Sequence, residues 1–116
     1  MPRYVLFLHE DQGLFDQRSQ DEMQRIIREY SDWAQKLRTA GRLAGGEKLT
    51  EDAGRVLRPS GISFSVTDGP YAEGKEIVGG YFMVNAADYD EACKLAGECP
   101  HLKYGGRIEV RMVHDF

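Results

Sequence analysis

With 116 residues the chain has room for one domain around a single core, spanning 1–116, and not for two. Its 15 Lys and Arg against 19 Asp and Glu leave a formal charge of −4, with both signs interspersed. A phosphate-backbone binder would carry a basic patch or stripe, so nucleic acid is not expected as a partner.

The apolar run from Tyr4 to Leu8 is too short for a secretory h-region, and no stretch could span a bilayer. A cytoplasmic protein without a membrane partner is therefore expected. Cys93 and Cys99 lack C-x-x-C spacing, so they read as reduced thiols, with no metal site and no disulfide framework.

Arg3 to Leu8 is apolar at both parities and predicts a strand covered on both faces. Ser19-Gln20-Asp21-Glu22 supplies a capping box for a helix with Met23, Ile26, Ile27, Tyr30, Ala34 and Leu37 on its apolar stripe and Trp33 at its edge as a core anchor. Gly41 stops that helix, and Leu43 to Leu49 reads as a second strand interrupted by Gly45-Gly46. After the polar turn Thr50 to Gly54, a hairpin is predicted in which Arg55 to Arg58 pairs across Pro59-Ser60-Gly61 with Ile62 to Thr67.

Asp68-Gly69-Pro70 ends the run Ile62, Phe64, Val66, since Asp closes an Asx-turn, Gly accepts positive φ and Pro has no N–H for a ladder. Glu73, Lys75 and Glu76 follow, either as a solvated hairpin loop or as a functional one. Ile77 to Val84 is again apolar at both parities and belongs inside the sheet beside the first strand. Asp88 caps a second helix, with Tyr89, Ala92, Leu95 and Ala96 toward the core, and Gly97 and Pro100 end it. Ile108, Val110 and Met112 alternate with polar residues as a half-exposed last strand.

This order is an α+β, ferredoxin-like βαβ(ββ)αβ subunit in which both helices cover one face of an antiparallel sheet. The bare face, with two strands apolar on both sides, should be buried against a second copy, so a homodimer is expected.

Thr67-Asp68-Gly69-Pro70-Tyr71-Ala72-Glu73, with Lys75-Glu76 and Gly79-Gly80-Tyr81-Phe82, resembles the signature of the YCII-related family, in the branch named for Asp-Gly-Pro-Phe. Tyr71 stands where that branch usually has Phe. The likeness extends to Arg3-Tyr4-Val5-Leu6-Phe7-Leu8, the Gly41 to Gly46 passage, Cys99-Pro100 and Ile108-Glu109-Val110-Arg111. The resemblance implies a dimeric α+β barrel in a family whose activity is mostly unassigned. Some members carry a His on the first helix and an Asp after the second, regarded as a catalytic dyad. By spacing those positions fall here near Tyr30 and Cys99, so the dyad does not carry over.

The topology should gather His9, Glu10, Asp11, Asp68, Tyr71, Glu73, Lys75, Glu76, His101, Tyr104 and Arg107 at one end of the sheet, with His114 at the other. Such a cluster suits acid–base work or a structural ion-pair network. For chemistry, His101 is the candidate acid or base with Asp68 to orient it and Glu73 beside them, while Lys75, His9, Tyr71 and Arg107 would hold a small-molecule ligand. Gly45-Gly46 and Gly105-Gly106 lack the context of a dinucleotide site, so no cofactor is expected. Cys99, at a helix C-terminus, is disfavoured as a thiolate. The function classes left open are a small-molecule enzyme and a non-catalytic ligand-binding or interaction module.

Overall fold

The computed structural model describes residues 1–71 and 74–115. Its elements run β1 (Arg3–Asp11), α1 (Gln20–Thr39), β2 (Leu43–Lys48), β3 (Arg55–Ser60), β4 (Ser63–Asp68), β5 (Glu76–Asn85), α2 (Tyr89–Gly97) and β6 (Arg107–Met112). Four strands make an antiparallel sheet in the order β2-β5-β1-β6, and β3 and β4 form a separate two-stranded ribbon. This is the ferredoxin-like α+β arrangement that the element order predicts, with β5 beside β1.

Both helices begin as their sequences dictate. Ser19 and Glu22 form the reciprocal capping box of α1, and the Asp88 side chain accepts from the backbone N–H of Glu91 at the start of α2. Even-numbered residues of β1 then build the core: Tyr4, Leu6 and Leu8 pack with Trp33, Leu37, Val84, Ala92 and Ala96. The Trp33 indole N–H donates to the Leu95 carbonyl at 3.1 Å, and its ring meets Phe82 edge-on at 4.8 Å. Two residues expected on apolar stripes are more exposed than the pattern suggests. Ile27 lies at the lip of a cavity, and Tyr89 leans edge-on against Tyr4 while its hydroxyl accepts from the Met112 N–H.

Three features depart from the sequence expectations. First, β1 continues past Leu8, pairing His9, Glu10 and Asp11 with Val78, Ile77 and Glu76 after a register shift that leaves Gly79 as the extra residue of a bulge. Polar side chains hid this extension. Second, the ribbon turns at Gly61-Ile62 rather than across Pro59-Ser60-Gly61, because Ser60 pairs with Ser63 and Pro59 with Phe64. A two-stranded ribbon is all edge, so a proline there forfeits no interior hydrogen bond. Third, Gly69 is not among the glycines with positive φ. It is a glycine because its backbone packs against residue 53: an added Cβ would stand 1.9 Å from the Ala53 carbonyl oxygen.

The odd-numbered side chains of β1 face away from both helices and are only half-buried. The ribbon carries Leu57, Ile62, Phe64 and Val66 into solvent. Accordingly the radius of gyration is 15.9 Å, against about 13 Å for a compact chain of this length. Among the described residues, no helix is long and apolar enough to cross a membrane.

Candidate functional site

The strand period decides where the chemistry lies. Glu10 shares the parity of Tyr4, Leu6 and Leu8, so its carboxyl enters the interior on the helix side and retains only 3% exposure. There it lines a cavity of about 440 Å³ between α1 and the sheet, walled by Leu8, Phe15, Met23, Ile26, Ile27, Ala34 and Phe82, with Tyr30, His101, Glu47, Lys48 and Glu51 as further polar groups. Glu10 Oε2 is buried and has no hydrogen-bond partner among the described residues. Burial pushes this carboxyl above its ordinary value; Lys48 opposes the shift and Glu51 reinforces it.

His101 forms part of the same wall, at 1% exposure. Its Nε2 lies 2.8 Å from the His9 carbonyl oxygen and its Nδ1 2.8 Å from the Tyr30 hydroxyl. A carbonyl only accepts, so Nε2 carries the proton and Nδ1 accepts from Tyr30. Burial lowers the His101 pKa, and the bond to the His9 backbone only partly offsets it, so the ring is neutral at neutral pH. Burial also raises the Tyr30 pKa. Both ring nitrogens are thus engaged, and His101 is not a free acid or base. Gly106 leaves room for the ring: a Cβ there would stand 2.1 Å from Nε2.

The expected convergence of His101, Asp68, His9 and Lys75 is not what the geometry brings together. His9 and His101 meet only through the His9 carbonyl, because the His9 ring lies on the opposite face of the sheet. There it sits 2.9 Å from Glu109 Oε1 and 3.2 Å from Glu76 Oε1. Arg107 joins this network at 3.0 Å from Asp11 and 2.8 Å from Glu76. Asp68 cannot orient His101. It ends the detached ribbon, with its side chain 86% exposed and 3.2 Å from Arg55. Tyr71 is exposed beneath the Arg58 guanidinium, and Lys75 is exposed, its backbone carbonyl accepting from Gln12. Glu73 lies outside the described residues. Burial pushes the Cys99 thiol up to about 11, which suits an inert buried thiol.

Glu10 is the residue that sequence reasoning put at the rim but gave no role. Its signal was parity: a lone carboxylate continuing a buried even-numbered series marks a charge directed inward.

A family model described as the YCII-related domain matches residues 3–116. An uncharacterized protein of Rhizobium meliloti (strain 1021) is 31% identical over 110 residues, which cover 93% of this chain and 89% of that protein. A match over nearly the whole length, with a relative at this identity, means that the chain belongs to the YCII-related family.

Proposed function

We propose that the cavity between α1 and the sheet binds a small, largely apolar molecule, and that Glu10 recognises and exchanges a proton with its polar end. One observation carries this reading: Oε2 of Glu10 is buried in an apolar cavity with no hydrogen-bond partner among the described residues. Such an oxygen is costly to leave unsatisfied, and a ligand group supplies the missing partner. A carboxyl raised by burial is also the form that acid–base enzymes use, which favours a small-molecule enzyme. The alternative, a non-catalytic ligand-binding module, is favoured by the closed Tyr30–His101 pair, in which both ring nitrogens are already engaged.

The two are separated by a deuterium-exchange assay with 4-phenyl-2-butanone in heavy water. Exchange at its α-carbons that is faster with the protein than in buffer, and lost in Glu10→Gln, supports catalysis. Binding without exchange supports the module.

The bare sheet face, the apolar ribbon and the extended shape also support a homodimer. Cys93 and Cys99 as free thiols fit a cytoplasmic protein.

A further inference from the structure

The ligand's polar end can be narrowed by the charges that surround Glu10. Oε2 lacks a partner, and the ionised carboxyl only accepts, so the group that completes that form is a donor rather than another carboxylate. Glu47 and Glu51 line the same cavity, and Lys48 is the single cation among its described lining residues. That ammonium is partly engaged, with Nζ 2.6 Å from the Leu49 carbonyl and 3.4 Å from Glu51, so it is one positive charge among three carboxylates. His101, the other basic group in the lining, donates to a backbone carbonyl and accepts from Tyr30, so it brings no positive charge. The cavity therefore offers an apolar body site ending in a surplus of negative charge. An anion would meet three carboxylates against the one charge of Lys48, whereas a cation would satisfy the orphaned oxygen and gain from the acidic lip.

Resting on the reading of this cavity as a small-molecule site, we infer that its ligand is an apolar primary amine whose hydrocarbon body packs against α1 and whose ammonium meets Oε2 of Glu10. Binding then draws the carboxyl into its ionised form, so a proton leaves as the amine enters. Affinity rises with pH through the range in which free Glu10 ionises.

The experiment is a titration of the full chain, by calorimetry and by proton–nitrogen NMR, with four probes of similar body: phenethylamine, 3-phenylpropanoate, 4-phenyl-2-butanone and ethylbenzene. A charge-assisted hydrogen bond makes phenethylamine about tenfold or more tighter than each of the others. The shifts should map to the cavity, and the affinity should fall on acidification. Glu10→Gln should abolish the preference, and Lys48→Met should tighten the amine. Should Glu10→Gln fail to fold, the ranking of probes and the pH slope on the native chain decide. If ethylbenzene binds in the cavity but the ketone, the carboxylate or ethylbenzene itself equals or exceeds the amine, the amine inference falls and the cavity reading stands. If no probe binds, or shifts map elsewhere, both fall.

Discussion

Gly79 and Glu10 occupy each other's space: a Cβ on Gly79 would stand 2.0 Å from Oε1 of Glu10. The bulge between β1 and β5 places this glycine where the carboxylate needs the room. Gly79→Ala should therefore destabilise the protein by about 1–3 kcal/mol through overpacking. In a Glu10→Ala background the same change should cost much less. A denaturant-unfolding double-mutant cycle measures the coupling, and additive costs would show that the two residues do not share one volume.

The Tyr30 hydroxyl is the donor that His101 Nδ1 requires. Tyr30→Phe leaves that buried nitrogen unsatisfied, so a loss of about 1–3 kcal/mol is expected. Burial holds the folded-state pKa of His101 below 6.5. The unfolded chain then binds the proton more readily, so His101's contribution is intact above 6.5 and is lost as pH falls below it toward the lowered folded value. Histidine NMR should show the ring neutral, with the proton on Nε2, at neutral pH. A ring protonated there, or carrying its proton on Nδ1, would contradict the assigned hydrogen bonds.

Gly69 packs against the Ala53 carbonyl rather than serving a left-handed turn. Gly69→Val should cost on the order of 1–3 kcal/mol, because a backbone atom cannot move aside like a flexible side chain. A change within about 0.5 kcal/mol in thermal or chemical unfolding would mean that the close approach is relieved cheaply.

A homodimer should sediment at twice the 13.1 kDa chain mass at micromolar concentration. Phe7→Asp on the bare face should lower that mass toward the monomer, since burying an unpaired charge at an interface is costly. A native chain that sediments as a folded monomer would remove the dimer from the account.

The elements were legible because local rules agreed with the fold: the Ser19–Glu22 box, the Asp88 cap and the even-numbered apolar series of β1 all act within a few residues. The apolar residues at both parities of Ile77 to Val84 sufficed to place β5 beside β1. Long-range placement was harder to read. The element order marks the hairpin ending at Asp68 as an addition to the split βαβ pattern but not where it points, so its distance from His101 could not be inferred from spacing. The partners of His101 come from α1 and from a backbone carbonyl of β1, remote in sequence and without a motif. Glu10 was readable in principle. Its charge ended the apolar run for pattern reading just where the period of the strand carried its side chain inside.

If Glu10 is a free carboxyl in a ligand cavity, a carbon-detected NMR titration of its side chain, assigned with Glu10→Gln, reports it. Its midpoint should lie above the ordinary 4.5, and phenethylamine should bring it down. A raised folded pKa stabilises the protein fully below 4.5 and loses that contribution as pH rises through the displaced midpoint, so Glu10→Gln should gain stability over the native chain at neutral pH. A midpoint at or below 4.5 that the amine leaves unmoved would contradict the account.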